Sequence, residues 1–219
     1  MKKVSTIFLA TLCLSISLLG CGQQTTNNQG VYMLVDTSGT YRNEIDKAAQ
    51  IVYFTLARLE PSDSFVLARI DTGSFSEKDI IAKTTFDDRP STANGQKRIF
   101  ADQVEKFTES EKSSPYTDIT GGLLQAIEFL NEKDSGRKTI FIFSDLKQDL
   151  EEGYVRDNIP MRLDGFDVVA LNVTKLRSDN VDPREYMTRL NDWKTQVTEN
   201  GGTWRVVNDL DDLDGLFKS

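Results

Sequence analysis

The sequence predicts a three-layer, doubly wound α/β fold whose mostly parallel, six-stranded sheet has one antiparallel edge strand. Two runs, at residues 31–35 (VYMLV) and 139–143 (TIFIF), are almost wholly apolar and do not alternate with polar residues. Such runs are typical of strands that are covered on both faces. Stretches with helical periodicity separate the strand-like runs. Strands that alternate with helices in this way indicate a parallel sheet between two helical layers.

The remaining elements follow from the same two periodicities. Helices, in which apolar residues recur every three or four positions, are expected at 45–59, 100–107, 119–130, 186–197 and 210–217. Strands, which are short and rich in apolar residues, are expected at 65–70, 80–86, 168–171 and 204–207.

The connection between the second and third strands is short and contains Gly73 and Ser74. A parallel crossover needs about a dozen residues or more, so the third strand is expected to be antiparallel. Loops are expected at 89–95 and 110–116. The segment 147–165 has no clear period, and Pro160 limits any helix in it.

Composition excludes several classes of function. The chain has 219 residues, which fits one domain of ordinary size plus a targeting segment. Its formal charge is −8, from 34 acidic and 26 basic residues, and this balance argues against a nucleic-acid partner. The chain has no histidine, which excludes histidine metal sites and a Ser-His-Asp triad. Its two cysteines, Cys13 and Cys21, are too few for a zinc cluster.

The first twenty residues have the pattern of a targeting segment. Lys2 and Lys3 precede the largely apolar stretch 4–19, which is too short for a confident membrane span. The following Leu-Leu-Gly-Cys, ending at Cys21, resembles a bacterial lipobox, whose cysteine receives lipid such as palmitate and becomes the new amino terminus. An ordinary signal peptide is the alternative. We therefore expect a lipoprotein signal peptide at 1–20, the lipidated Cys21 with a polar tether at 21–30, and one domain at 31–219.

The lipobox resemblance also predicts a location. The protein is expected in a bacterial cell envelope, held on a membrane by its amino-terminal lipid. Gly22 stands where an aspartate would resemble an inner-membrane retention signal. Its presence favours the outer membrane, facing the periplasm, in a cell with two membranes, and the outer face of the cell membrane otherwise.

The stretch from Asp36 to Thr40 (DTSGT) ends the first predicted strand with a carboxylate and hydroxyls at alternate positions. Asp36, Ser38 and Thr40 can direct oxygen atoms into one small space. Ligand sets made only of oxygen suit hard divalent cations such as Mg²⁺. The stretch alone leaves a second interpretation open, in which Ser38 or Thr40 caps the next helix and Asp36 complements its dipole.

Two later residues strengthen the cation interpretation. Asp145 follows the strand at 139–143, and Thr117 precedes the helix at 119–130. In an open α/β sheet, the carboxyl ends of the strands beside the switch in chain order form one crevice. Asp36 and Asp145 would face each other there, and without a cation the two carboxylates would repel one another.

This set of residues resembles the von Willebrand factor A family and its metal-ion-dependent adhesion site. The family's Asp-x-Ser-x-Ser motif matches Asp36, Ser38 and Thr40, its isolated threonine matches Thr117, and its final aspartate matches Asp145. The resemblance covers the chain from about residue 31 onward. It implies a bound Mg²⁺ (or Mn²⁺ or Ca²⁺) and a non-enzymatic function, in which an acidic group of a protein partner takes the open coordination position.

The chain departs from the family pattern at two positions. Thr40 replaces the last serine of the motif and adds a methyl group, which is expected to weaken cation binding. Leu146 stands where many members have glycine after the aspartate, so the loop around Asp145 is expected to differ.

Other interpretations also remain open. The DTSGT stretch resembles the first motif of haloacid-dehalogenase-type phosphatases, with Asp36 as nucleophile, but Ser38 stands where that family has an acidic proton donor. A von Willebrand factor A scaffold without metal is a further alternative. A dinucleotide site is disfavoured because no Gly-x-Gly-x-x-Gly follows the first strand.

Several residues near the expected site have simpler roles. Asp118 and Asp149 are expected to be solvated surface charges, although Asp118 could orient a water molecule on the metal. The pair Gly121-Gly122 is expected to let its helix approach the sheet closely. Trp193 and Trp204 are expected in the core.

Overall fold

The computed structural model describes residues 27–39, 41–110, 113–156 and 159–217, and these form a six-stranded sheet between two layers of helices. The strands are β1 (Gln29–Asp36), β2 (Ser64–Ile70), β3 (Ile80–Thr85), β4 (Arg137–Phe143), β5 (Phe166–Leu171) and β6 (Thr203–Val207). The helices are α1 (Ile45–Arg58), α2 (Pro90–Ser110), α3 (Ile119–Glu132) and α4 (Pro183–Glu199).

The sheet has the strand order β3-β2-β1-β4-β5-β6. The β2–β3 pair is antiparallel, and every other pair of neighbours is parallel. The predicted fold class is therefore confirmed, including the antiparallel edge strand. The chain order reverses between β1 and β4, and this reversal places the crevice predicted from the sequence beyond the carboxyl ends of those two strands.

Strand β1 divides the core into two halves because its side chains alternate between the faces of the sheet. Val31, Met33 and Val35 pack with residues of α1 and α2 on one face. Tyr32 and Leu34 pack with residues of α3 and α4 on the other face. All five side chains are at most 1% exposed, which explains why this run shows no polar alternation in the sequence.

Helix α3 approaches the sheet closely at Gly122. A Cβ atom at this position would lie 2.8 Å from Leu34 Cδ2, so a larger residue does not fit without movement. This confirms the expected role of Gly122. Asp118 caps the helix by accepting a hydrogen bond from the amide of Gly121.

The structure differs from the sequence predictions at several element boundaries. Strand β1 begins at Gln29, two residues before the predicted start. Helix α2 begins at Pro90, inside the predicted loop, because proline suits the first turn of a helix and the exposed helix tolerates Gly95. The last predicted helix is a 3-10 helix, Leu210–Leu216.

Two predictions of burial were also tested. Trp193 is buried, as expected, but Trp204 lies on the edge strand β6 and is only partly buried against the core.

The described parts of the segment 147–165 form neither a helix nor one of the six strands. No helix among the described residues is both long and apolar enough to cross a bilayer.

Candidate cation site

The candidate site lies at the carboxyl edge of the sheet, where β1 and β4 run side by side. Asp36 is the last residue of β1, and Ser144 and Asp145 directly follow β4. The two strands pair in parallel up to Val35 and Phe143, so the next residues of both strands leave the sheet at the same place. The strand order therefore brings the two predicted carboxylates together.

Asp36 is almost completely buried, with 1% of its surface exposed. Its Oδ1 accepts a hydrogen bond from the Ser38 amide at 2.8 Å, and its Oδ2 accepts one from Ser144 Oγ at 2.6 Å. Burial raises the pKa of Asp36 above its usual value, and the hydrogen bonds from Ser144 and Ser38 partly oppose this shift.

Asp145 is also buried, and its Oδ1 accepts a hydrogen bond from the Lys147 amide at 2.8 Å. Burial is the main cause that raises the pKa of Asp145 to about 6, and the negative charge of Asp36 adds to the shift. Lys147 and Arg189 act in the opposite direction. Two buried carboxylates, one of which disfavours the ionised form of the other, are suited to share a positive charge between them.

Thr117 reaches this edge from the residue pair that precedes α3. Its backbone exchanges two hydrogen bonds with Asp149, at 2.7 and 3.0 Å, so it is tied to the segment that follows Asp145. On the other side, the Ser114 amide donates to the Thr37 carbonyl at 2.9 Å. The loops after β1 and β4 and the loop before α3 thus meet around one space.

That space is an open pocket of about 470 Å³. Hydroxyl and carboxyl side chains form much of its lining, which comprises Ser38, Gly39, Ser113, Ser114, Pro115, Thr117, Asp145, Lys147, Asp149 and Leu176.

Comparisons with known proteins bear on the fold. No protein-family model matches the chain, and no curated protein matches it. Among solved structures, a von Willebrand factor type A protein from Catenulispora acidiphila superposes with a TM-score of 0.56 and 14% identity, over 88% of this chain and 41% of that chain. The chain has the von Willebrand factor A fold.

A second solved structure agrees. The pilus adhesin SpaC from Lactobacillus rhamnosus GG, in its open conformation, superposes with a TM-score of 0.53 and 13% identity, over 89% of this chain and 30% of that chain. This chain therefore spans less than half the length of either structure. At such identities the likeness concerns the fold, and the chemistry of the site rests on the residues of this chain.

Within this fold, three of the five predicted ligands, Ser38, Thr117 and Asp145, line the pocket. Asp36 is not among the lining residues but contacts Ser38 directly and lies close enough to Asp145 to affect its pKa. Thr40 lies outside the described residues, as does the predicted lipidation site, Cys21.

The donor set fits a hard divalent cation better than a soft one. Across the described residues, no cluster of three or more His, Cys, Asp or Glu side chains could hold a metal. The available donors are instead two carboxylates and the hydroxyls of serine and threonine, and oxygen donors of this kind suit Mg²⁺, Mn²⁺ or Ca²⁺. The buried, mutually repelling carboxylates supply the charge that such a cation would neutralise.

Sequence reasoning missed two serines of the site. Ser144 is completely buried and joins the end of β4 to Asp36. A hydroxyl directly before Asp145, at the end of an apolar strand, was an available signal for it. Ser114 donates to Asp71 Oδ1 at 2.5 Å and lies in a loop whose position follows from long-range contacts alone.

Asp118 corrects the prediction of a solvated surface charge. It is 0% exposed, and its Oδ2 accepts hydrogen bonds from Arg156 Nη2 at 2.6 Å and from the Ser74 amide at 3.1 Å. Arg156 comes from the segment after β4, so an ion pair fixes the start of α3 directly after Thr117. Asp149 is exposed, as expected.

Proposed function

We propose that this chain is a membrane-anchored protein-binding module that uses a divalent cation, Mg²⁺ or alternatively Mn²⁺ or Ca²⁺, to engage an acidic group of its partner. The observation that carries the proposal is the pair of buried carboxylates, Asp36 and Asp145, beside a pocket lined by Ser38 and Thr117. Thr40 is included as the fifth ligand on the basis of the sequence motif.

The residues of the site would hold a cation and leave one side of it accessible to a partner. Asp36 and Asp145 supply negative charge from the buried side of the site, where burial removes competing water. Ser38 and Thr117 would supply neutral oxygens, so the negative charge at the site would come from the two aspartates. The bound cation would supply an electrophilic position for a carboxylate of the partner, on the open side of the pocket.

The adhesin named among the structural neighbours supports a binding function over catalysis. A location on the cell envelope agrees with that neighbour and with the lipobox-like sequence that ends at Cys21. The proposed anchor is the lipid on that residue, with the preceding residues 1–20 removed.

The haloacid-dehalogenase-type phosphatase is the alternative enzyme. It would need a proton donor where Ser38 stands, and a serine hydroxyl does not protonate a leaving group near neutral pH. Turnover of a small phosphoester in the presence of Mg²⁺, lost on replacement of Asp36, would favour this alternative.

The proposal is tested by capture of partners from a membrane fraction with the purified protein. Binding should require Mg²⁺, disappear with chelator and disappear in Asp36→Ala. It should persist at moderate salt, because a contact between a carboxylate and a metal at close range is weakly screened. Binding that survives both chelator and Asp36→Ala would place the interaction on another surface and contradict the proposal.

A further inference from the structure

Two side chains of α4 donate hydrogen bonds to consecutive carbonyl oxygens at the site. Arg189 Nε donates to the carbonyl of Asp145 at 2.8 Å, and Trp193 Nε1 donates to the carbonyl of Leu146 at 2.9 Å. Residues four apart lie on the same face of a helix, so both donors point from α4 toward the 144–146 segment. Neither residue can itself bind a cation.

The segment that they contact has an unfavourable backbone conformation. Leu146 has a φ of 65°, in the left-handed region that costs a residue with a Cβ atom about 1–2 kcal/mol. Its side chain is 1% exposed in the core, and its amide donates to Ser144 Oγ at 3.0 Å.

The conformation of Leu146 is connected to both carboxylates. Ser144 Oγ accepts from the Leu146 amide and donates its proton to Asp36 Oδ2. The Lys147 amide, on the other side of Leu146, donates to Asp145 Oδ1. A relaxation of Leu146 to negative φ would therefore disturb a hydrogen bond to each carboxylate.

Arg189 also contacts Asp179, which is hydrogen-bonded to a pocket-lining residue. Its two terminal nitrogens bind both carboxylate oxygens of Asp179, at 3.2 and 2.8 Å, and this carboxylate is fully buried. Asp179 Oδ2 in turn accepts from the amide of Leu176, which lines the pocket. One guanidinium group thus connects the loop of Asp145 with the loop of Leu176.

We propose that Arg189 and Trp193 are positioning residues for the cation site. They hold Leu146 in its left-handed conformation and thereby keep Asp145 beside Asp36 in a chain that lacks glycine after Asp145. The cation part of this inference rests on the proposed function, whereas the effect on the 144–146 segment does not require a cation.

The test compares Trp193→Phe and Arg189→Lys with the wild-type protein. Phenylalanine removes the indole N–H but retains most of the buried ring. Lysine retains a positive charge but cannot bind both Asp179 and the Asp145 carbonyl with the geometry of a guanidinium. The control is Tyr32→Phe, which removes a buried hydrogen bond to Gln125, 3.0 Å long, from an aromatic residue away from the site.

Two quantities are measured on the purified proteins. The first is amide hydrogen exchange at Leu146 and Lys147 without metal, where protection should fall about tenfold in both variants and remain unchanged in the control. The second is the dissociation constant for Mg²⁺ and Mn²⁺, which should rise about ten- to a hundredfold in both variants and remain unchanged in the control.

Each outcome decides the inference. Unchanged protection in both variants would show that α4 does not fix the segment and would overturn it. Lost protection with unchanged cation affinity would also overturn it, because the segment would then not position the site. If the wild-type protein binds neither cation, the proposed function fails, and protection that falls only in the two variants would still support the structural part of the inference.

Discussion

Asp145 combines burial with a like charge nearby, and these two effects make its ionised form unfavourable in the metal-free protein. We predict that Asp145→Asn raises the stability of the metal-free protein by on the order of 1–2 kcal/mol at neutral pH. Asparagine has nearly the same shape and can still accept the hydrogen bond from the Lys147 amide. Urea unfolding in chelator measures the change, and a loss of stability would contradict the electrostatic argument.

Arg156 permits a test of the buried ion pair that follows Thr117. Its removal leaves the Asp118 carboxylate, which is 0% exposed, without its cationic partner. Arg156→Met should therefore destabilise the protein by about 3 kcal/mol or more in urea unfolding. The matched control is Arg184→Met, because the Arg184 side chain is 89% exposed beside Asp182, and water and salt screen such a pair, so its removal should change stability little. Equal losses would contradict the importance of burial.

At this scale, the sequence predicts the residues whose position follows from the ends of strands and helices. Asp36, Asp145 and Thr117 are of this kind, because the sheet order brings the ends of β1 and β4 together and Thr117 lies directly before α3. Asp118 was misjudged because its partner, Arg156, lies 38 residues away in a segment without periodicity. The contacts of Arg189 and Trp193 at the site were not predictable for the same reason, since only the folded chain places their donors beside the carbonyl groups of Asp145 and Leu146.

Helix α3 positions the pocket-lining Thr117 through its close contact with β1. We predict that Gly122→Ala destabilises the protein by about 1–3 kcal/mol, since the new methyl group would overlap Leu34. Gly95→Ala is the control, because a Cβ atom at this position in α2 meets nothing within 4 Å. The control should gain about 0.5–1 kcal/mol from its better helix propensity.

Thermal and urea unfolding of the two variants measure this difference. Opposite signs would confirm close contact of α3 with the sheet. A Gly122→Ala variant as stable as the control would contradict it.

The strands and the long helices were predictable because periodicity reports burial, whereas the start of α2 at Pro90 was not, because its first turn is mostly exposed and carries little apolar pattern.

Strand β1 relates the pocket to the start of the described chain, because it begins at Gln29 and the pocket lies beyond its other end, at Asp36. The tether would enter at Gln29, whereas the pocket lies beyond Asp36. The roughly eight residues from Cys21 to Gln29 can span at most about 28 Å, so the base of the sheet would lie close to the membrane and the pocket would face away.

Single cysteine labels test this orientation in vesicles. Glu132 ends α3 at the amino edge of the sheet and is exposed, and Ser113 lines the pocket. We predict that a quencher embedded in the membrane reaches a label at Glu132→Cys more readily than one at Ser113→Cys. Equal or reversed quenching would mean that the domain lies on its side or is anchored elsewhere.

The fold class was predictable from the sequence because two unbroken apolar runs and one short connection restrict the possible sheets to few alternatives. Cation binding at the site was not predictable from the sequence. It depends on the balance between the desolvation of two carboxylates and the hydrogen bonds that support them. That balance is a property of the folded molecule.

Calorimetric titration of the purified protein with Mg²⁺ and Mn²⁺ tests the cation site most directly. We predict heat of binding to one site, and a gain of about 2.7 kcal/mol in the free energy of unfolding at a hundredfold excess of free cation over its dissociation constant. Asp145→Asn should abolish both effects. Absence of heat and of stabilisation by millimolar cation in the wild-type protein, or full retention of both in Asp145→Asn, would contradict the proposal that Asp36 and Asp145 hold a divalent cation.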